Sequence, residues 1–229
     1  ALSTTVINQG IYQLEDSLNN VFLKTSREAI WQLMPNNPGV NTWEGRNFIL
    51  TQAPATEEFN STVLSRYMLQ AFEAGDRRRR NWVDSIALGA SQVYYFAYKY
   101  KKKVDADITE YSMVLRFAEQ YLIRAEARAH LDNPQGAIND LNYIRERAGL
   151  PAMNVMNNDD ILKAIAHERQ VELFTEWGHR WLDLKRTGQA NAILNNEKGT
   201  NWQPTDTLYP IPQNERALNQ NLTQNKGYN

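Results

Sequence analysis

The sequence predicts a mainly α-helical fold, a helical hairpin scaffold with irregular loops and a few short strands. Apolar residues recur at steps of three and four through much of the C-terminal half, which is the spacing of amphipathic helices. Gly and Pro stand at the ends of these periodic segments, where they stop helices. The N-terminal part instead mixes turn clusters with short strand-like segments. We therefore expect mixed structure over residues 1–110 and a helical region over residues 111–229.

Two helices joined by a very short connection form the predicted hairpin. The first covers residues 114–131 and the second covers residues 134–148. Asn133 suits the N-cap of the second helix, and Gly149 ends it. Two small residues fall where the helices should cross and a bulky one follows, which is the spacing of a single tetratricopeptide-like unit. These residues are Ala125, Ala137 and Leu141.

Two further helices are predicted before an irregular C-terminal segment. The third covers residues 158–177, and a short fourth covers residues 180–187 with Trp181 and Leu184 facing inward. Closely spaced prolines exclude a helix over residues 208–212, so we expect an extended strap there. The apolar residues expected to lay the strap over the helices are Leu208, Tyr209 and Ile211.

Short elements alternate with turns in the N-terminal 110 residues. The predicted elements are a strand over 28–34, a turn cluster over 35–39, a helix over 62–74 and a strand over 93–103. In the first strand we expect Ile30 or Trp31 to face inward. Residues 41–47 have the composition of a flexible loop.

Composition and charge exclude several classes of function. The 229 residues carry a net charge of −1, so no overall field draws the chain to nucleic acid or anionic lipid. Cysteine is absent, which excludes disulfides, thiol nucleophiles and thiolate metal sites. His167 and Glu168 begin like a zinc-protease helix, but Val171 stands where the second His should be. We therefore expect neither a metal nor a cofactor, and no apolar run approaches the roughly 20 residues of a membrane span.

Three charged segments are interpreted as structural. The four arginines of residues 77–80 are expected to form a solvated turn after a helix. Residues 98–103 are expected to form an exposed strand whose lysines guard its edge. A third set, threaded through the most apolar helices, predicts a paired network that sets the angle between the third and fourth helices. This set is Glu168, Arg169, Glu172, Glu176, Arg180, Asp183 and Arg186.

Five segments follow one another in a characteristic order in the C-terminal half. They are residues 122–127 (LIRAEA), 144–150 (IRERAGL), 168–173 (ERQVEL), 178–186 (GHRWLDLKR) and 208–212 (LYPIP). This succession resembles the C-terminal part of the SusD/RagB family. The resemblance is dense over residues 111–229 and thinner before them, at residues 27–31, 76–78 and 99–100.

The resemblance implies a non-enzymatic, surface-exposed lipoprotein of the Bacteroidetes outer membrane. Such proteins bind oligosaccharides or polysaccharides and deliver them to a SusC-like TonB-dependent transporter. We expect this chain to be a C-terminal fragment, so that the membrane is reached only through a lipid anchor in the missing N-terminal part. Residues 1–110 would then be the C-terminal part of the ligand-facing region.

The expected glycan site lies on the loop over residues 41–47. In such proteins an aromatic face stacks on a sugar ring while amide and guanidinium groups bond the hydroxyls. The candidate glycan-binding residues are Trp43, Asn41 and Arg46, and no residue is assigned a catalytic role. Three alternatives remain: Trp43 is a buried loop anchor, the hairpin is a protein–protein scaffold that binds no glycan, or the chain is a glycoside hydrolase with two facing carboxylates.

Overall fold

A computed structural model of the chain describes residues 1–36, 39, 41–55, 61–89, 92–154 and 157–228. Over this part of the chain the fold is mainly helical, as predicted, with four short strands in two antiparallel ribbons. The helices are α1 (Leu2–Asn8), α2 (Trp43–Phe48), α3 (Arg66–Ala71), α4 (Arg77–Asn81), α5 (Phe117–His130), α6 (Pro134–Arg147), α7 (Asn158–Glu172), α8 (His179–Arg186), α9 (Ala190–Lys198) and α10 (Gln213–Leu218). The strands are β1 (Ala29–Leu33), β2 (Val83–Leu88), β3 (Gln92–Ala97) and β4 (Ser112–Arg116).

The backbone forms two compact units, unit 1 over residues 1–177 and unit 2 over residues 178–229. In unit 1, β1 pairs with β4 and β2 pairs with β3, so one ribbon joins residues far apart in the sequence. The expected division near residue 110, into a ligand-facing part and a helical part, stays a prediction.

Helices α5 and α6 form the predicted hairpin. The Asn133 side chain caps α6 by accepting a hydrogen bond from the Gly136 amide at 2.9 Å. Gly149 has a φ of 78°, a left-handed conformation that ends α6. The residues of the tetratricopeptide-like spacing are all fully buried: Ala125, Ala137 and Leu141. Because small side chains occupy the crossing, the two helices pack closely, and the hairpin prediction is confirmed.

The first helix of the hairpin begins later than predicted. Residues Ser112–Arg116 form β4, and the helix starts only at Phe117. The cause is the pairing of β4 with β1, in which Gln32 lies beside Met113. Such a long-range contact leaves no mark on the local spacing of apolar residues.

Two apolar cores fill unit 1. The first lies between α5, α6 and α7, and its fully or nearly fully buried members include Leu122, Leu141, Ile144, Ile161 and Ile165. The second surrounds Trp82, whose indole nitrogen donates to the Leu18 carbonyl at 2.9 Å. Tyr100, Met113 and Phe174 belong to this second core. It supports the candidate site described below.

The strand predictions for the N-terminal part are only partly right. β1 confirms the strand over residues 28–34, but Trp31 is exposed and Ile30 is partly buried. The strand predicted over residues 93–103 ends at Ala97, and its partner β2 was not predicted. Beyond Ala97 the chain enters the interior instead of continuing along an exposed edge.

The helix and turn predictions of this part also differ from the structure. The helix expected over residues 62–74 is reduced to α3, whose first turn is capped by the Ser65 hydroxyl. The turn cluster over residues 35–39 includes Asn37 and Pro38, which lie outside the described residues. In the C-terminal half, α7 ends at Glu172, before the predicted end at residue 177.

Unit 2 begins with the predicted short helix. Leu184 of α8 is buried, and Trp181 stands edge-on to Trp202 with ring centroids 6.2 Å apart. The segment after α8 was expected to be irregular, but it contains α9 and α10. The strap lies outside these helices, as its prolines require, yet Leu208 and Tyr209 are 51% and 77% exposed. The prediction that these two side chains pack inward is therefore wrong.

Candidate functional site

Unit 1 contains a cleft of about 230 Å³ that collects aromatic and polar side chains. Two tryptophans line it, and Trp43 is 49% and Trp177 is 52% exposed. The other lining residues are Glu44, Asn47, Phe48, Tyr100, Met113, Thr175 and Glu176. Exposed aromatic rings beside polar groups suit a ligand with apolar faces and polar edges.

Helix α2 presents Trp43 to the cleft. The prediction of a flexible loop over residues 41–47 is wrong, because Thr42 caps a helix by accepting a hydrogen bond from the Gly45 amide at 3.0 Å. A Cβ at Gly45 would overlap the carbonyl oxygen of Lys102, so only glycine lets the helix lie this close to that backbone. Trp43 is therefore held on the first turn of a fixed helix and is not a buried anchor.

Asn41 is fully buried directly before α2. Its amide nitrogen donates to the Asp107 carbonyl at 3.0 Å, and its amide oxygen accepts from the Thr109 and Glu110 amides at 2.7 and 3.0 Å. These bonds tie the start of α2 to residues 107–110. Asn41 thus positions the helix that carries Trp43, and a direct contact of Asn41 with a ligand stays a prediction.

Arg46 lies on α2 beside Trp43. Its guanidinium carbon is 5.2 Å from the centroid of the Trp43 ring, within the range of a cation–π contact. Arg46 is partly buried and is not among the residues that line the cleft. The structure thus brings the three predicted site residues together, with Trp43 the member that faces the cleft.

Trp177 enters the cleft from the segment that follows α7. Thr175 and Trp177 have positive φ values of 58° and 41°, which are uncommon for residues with a Cβ. The indole nitrogen of Trp177 donates to the Met113 carbonyl at 2.7 Å, which fixes the ring beside β4. The sequence does not point to this residue, because the apolar spacing predicts that the third helix continues through position 177, whereas α7 ends at Glu172.

Polar contacts also order the rest of the cleft. Glu44 accepts a hydrogen bond from the Ser112 hydroxyl at 2.7 Å. The Tyr100 hydroxyl accepts from the Met113 amide at 2.9 Å, and burial raises the pKa of Tyr100 well above its usual value. The phenol is therefore neutral at physiological pH. Tyr100 and Met113 are both buried, and they link the cleft to the second apolar core.

A buried set of charges, called here the ion cluster, adjoins the cleft at Glu176. Its acidic members are Glu28, Asp76, Glu168, Glu172 and Glu176, and its basic members are Arg78, Lys99, Arg116, Arg145 and Arg147. Glu176 belongs both to this cluster and to the cleft. The cluster contains five acidic and five basic groups, and Arg145 pairs in addition with the exposed Glu73, so its charges can compensate one another away from water.

The ion cluster confirms that the helix glutamates are paired, but it corrects their partners. Glu168 pairs with Arg78 at 2.5 Å, and Glu172 pairs with Arg116 at 2.6 Å. The partners come from distant parts of the sequence. On α8, Asp183 pairs with Arg186 of the same helix at 2.8 Å.

Two basic segments were expected to be solvated, and each has a buried residue. The arginines of residues 77–80 lie in α4 instead of the predicted turn. Arg78 is 1% exposed, although Arg77 and Arg80 are exposed as expected. Lys99 is 2% exposed and pairs with Glu176, and its nitrogen lies 4.2 Å from the centroid of the Phe174 ring. Both predictions are wrong at these positions, because carboxylates far away in the sequence compensate the buried charges.

Burial and ion pairing act on the pKa values of the ion cluster in opposite directions. Burial alone would raise the pKa of Glu176, but Arg116 and Lys99 outweigh it and hold that pKa below its usual value. For Glu168, burial prevails over the effect of Arg78 and the pKa is raised. Burial lowers the pKa of Lys99 to about 8, against the opposing effect of Glu176.

In the described part of the chain, no three His, Cys, Asp or Glu side chains are grouped so as to hold a metal ion. Within the same ranges, no helix has the length and apolar character that crossing a membrane requires.

Comparison with known sequences identifies relatives. A model of the SusD family matches residues 40–228. Two SusD-like proteins of Formosa agariphila are similar to the chain. One is 29% identical over 194 residues, which cover 75% of this chain and 37% of that protein. The other is 33% identical over 105 residues, which cover 42% of this chain and 21% of that protein. The chain thus spans well under half the length of these relatives.

Comparison with solved structures shows the same fold. A SusD superfamily protein from Parabacteroides distasonis has a TM-score of 0.76 and 26% identity, over 99% of this chain and 56% of that one. Surface glycan-binding protein A from Bacteroides thetaiotaomicron, solved in complex with laminarihexaose, has a TM-score of 0.74 and 20% identity, over 97% of this chain and 58% of that one. The chain spans just over half the length of both proteins.

Proposed function

The chain belongs to the SusD family, and from that premise we propose that it binds a glycan in the cleft lined by Trp43 and Trp177. The binding is non-catalytic. The single observation that carries this proposal is the presence of two half-exposed tryptophans in one cleft with polar side chains. A surface glycan-binding protein of the same fold was solved with laminarihexaose, which supports a glycan as the ligand.

The chemistry of the cleft matches the two kinds of surface on a sugar. A pyranose ring has C–H faces that stack on an aromatic ring, and Trp43 and Trp177 offer such faces without losing much side-chain freedom. The hydroxyl groups at the ring edge need donors and acceptors, which Asn47 and Glu44 can supply. The site therefore recognises a sugar by its face and by its edge at once.

The size of the cleft limits how much of a glycan enters it. About 230 Å³ is smaller than the roughly 300–1,000 Å³ of pockets that hold drug-sized ligands. One sugar ring therefore enters the cleft, while the rest of an oligosaccharide runs over the surface. Such a site gives weak and reversible binding, which suits a protein that passes its ligand on.

The recipient in this proposal is a SusC-like TonB-dependent transporter at the outer membrane. The bound oligosaccharide is released to the transporter at the cell surface, and a lipid anchor in another part of the whole protein holds it there. Membership of the SusD family supports this assignment. Co-purification of the whole protein with its transporter tests it, and two proteins that never co-purify would contradict it.

The contacts of Glu176 do not suit the acid catalyst of a glycoside hydrolase. Glu44 and Glu176 both line the cleft. A hydrolase needs one carboxyl group with a raised pKa to protonate the leaving group. The pKa of Glu176 is instead lowered by Arg116 and Lys99, and both of its carboxylate oxygens accept hydrogen bonds from those residues. No observation on the cleft favours the second alternative, a hairpin scaffold that binds only protein.

Calorimetric titration of the 229-residue chain with a panel of neutral and acidic oligosaccharides, laminarihexaose included, tests the proposal. Trp43→Ala and Trp177→Ala should each weaken binding by about tenfold or more, because each removes a stacking face. Trp31→Ala is the matched control, since Trp31 is similarly exposed but lies on β1 and does not line the cleft. No binding to any glycan of the panel, or an equal loss with Trp31→Ala, would contradict the proposal.

A further inference from the structure

The segment that carries Trp177 holds an unusual backbone. Thr175, Trp177 and Gly178 have φ values of 58°, 41° and 73°, so three of four consecutive residues are in the left-handed region. Glycine adopts this region freely, but a β-branched threonine and a tryptophan do so only when surrounding contacts impose it. The contacts that impose it identify what holds Trp177 in the cleft.

These contacts are made by the side chain of Glu176, which lies between Thr175 and Trp177 in the sequence. Arg116 Nε donates to Glu176 Oε2 at 2.8 Å, and Arg116 Nη2 donates to Oε1 at 3.1 Å. Lys99 Nζ donates to Oε1 of the same carboxylate. We call Glu176, Arg116 and Lys99 the Glu176 triad.

The same two cations also end helix α7. Lys99 Nζ donates to the Glu172 carbonyl at 2.7 Å, and Arg116 Nη2 donates to that carbonyl at 2.8 Å. The final carbonyls of a helix need such donors, because no later turn supplies their partners. Lys99 and Arg116 therefore fix both the last turn of α7 and the side chain four residues beyond it.

The cations of the triad are themselves held by aromatic rings. Lys99 Nζ lies 4.8 Å from the centroid of the Trp82 ring and 4.2 Å from that of Phe174. Arg116 lies 5.8 Å from the Trp82 ring. Because Trp82 is fully buried, the triad rests on the rigid second core.

We propose that Glu176 is a positioning residue for the glycan site, which anchors the left-handed turn that presents Trp177 through its contacts with Arg116 and Lys99. Glu176 need not touch the ligand to do this. The inference rests on the proposed function, because it assigns to Trp177 a role in glycan binding. The first part of the inference, that Glu176 fixes the Trp177 ring, does not depend on any ligand.

A matched pair of variants separates positioning from general stability. Glu168→Gln is the control for Glu176→Gln, since Glu168 is also buried and bonded to two cations, Arg78 and Arg145. Glu168 lies one helix turn before Glu172 and does not line the cleft. The melting temperature of each variant measures its effect on general stability. Only Glu176→Gln should weaken binding, by about tenfold, because a ligand would then have to order the turn.

The second measurement does not depend on a ligand. The indole N–H of Trp177 donates to the Met113 carbonyl, so its hydrogen exchange is slow while the turn is fixed. Glu176→Gln should speed this exchange by about tenfold or more, and Glu168→Gln should leave it unchanged. If Glu176→Gln does not fold, Lys99→Met is used instead. This substitution removes the Lys99 donor to Glu176, and the methionine side chain still fills the apolar space between the aromatic rings.

The outcomes distinguish the two proposals. Weaker binding and faster indole exchange in Glu176→Gln alone support the positioning role. Equal exchange in both glutamine variants, or binding losses that follow only the melting temperatures, overturn it. If the unsubstituted chain binds no glycan, the proposed function fails. The exchange rate of the Trp177 indole then still tests whether Glu176 fixes the Trp177 ring.

Discussion

Arg116 and Glu176 form a bidentate ion pair in the interior of unit 1, with nitrogen–oxygen distances of 2.8 and 3.1 Å. The two residues are 60 positions apart in the sequence, one at the end of β4 and the other beyond α7. Their parallel hydrogen bonds fix the angle between the guanidinium and the carboxylate as well as their distance. The pair therefore joins the β1–β4 ribbon to the segment that lines the cleft.

Removal of Arg116 should destabilise the chain strongly. Arg116→Met leaves the carboxylates of Glu172 and Glu176 buried with fewer partners, and we expect a loss of about 3–5 kcal/mol in the free energy of unfolding. Urea denaturation measures it. Lys163→Met breaks an exposed pair with Asp160 and should leave the stability nearly unchanged. A similar loss in the free energy of unfolding for both variants would show that the buried ion pair stabilises the chain no more than an exposed one.

Stability should depend on pH in opposite ways through Glu176 and Glu168. The folded pKa of Glu176 lies below its usual 4.5, so its contribution is present above pH 4.5 and is lost as the pH falls through the folded pKa. The folded pKa of Glu168 lies above 4.5, so its contribution is present below pH 4.5 and is lost as the pH rises through the folded pKa.

Urea unfolding of the unsubstituted chain and of each glutamine variant, from about pH 3 to about pH 7, measures this difference. The stability lost in Glu176→Gln should grow as the pH rises. The stability lost in Glu168→Gln should shrink over the same range. Parallel curves for the two variants would contradict the assignment of opposite pKa shifts.

Gly45 should be required for the placement of α2. Gly45→Ala puts a Cβ against the carbonyl oxygen of Lys102, and we expect a loss of about 1–3 kcal/mol as the helix moves away. Asn47→Ala is the control on the same helix, since Asn47 is exposed and its removal should change stability by less than about 0.5 kcal/mol. Thermal unfolding compares them, and an unchanged Gly45→Ala would show that α2 can shift freely.

The crossing of α5 and α6 should not tolerate a larger side chain. Ala125 is fully buried there, so Ala125→Leu should cost about 1–3 kcal/mol by overpacking. Ala127 is exposed two positions later on the same helix, and Ala127→Leu should be nearly neutral. Chemical denaturation of both variants measures the difference. A neutral Ala125→Leu would mean that the helices do not pack closely at this point.

Local patterns were sufficient to predict the helical scaffold. The hairpin follows from apolar spacing, from the Asn133 cap and from the left-handed Gly149, all of which act within a few residues of one another. Trp43 could be selected as a site residue because its neighbours are polar. Its helix could not be predicted, since that helix depends on the contact of Gly45 with the Lys102 backbone.

The helical hairpin, the family resemblance and the choice of Trp43 as a candidate site residue all follow from the amino-acid sequence. The burial of Arg78 and Lys99 and the position of Trp177 in the cleft depend on long-range contacts of the folded chain. These contacts join residues that are far apart in the sequence: Arg78 and Glu168 are separated by 90 positions, and Lys99 and Glu176 by 77. Burying a charged side chain costs free energy unless an opposite charge compensates it. The local spacing of residues does not indicate which distant residue will provide that opposite charge.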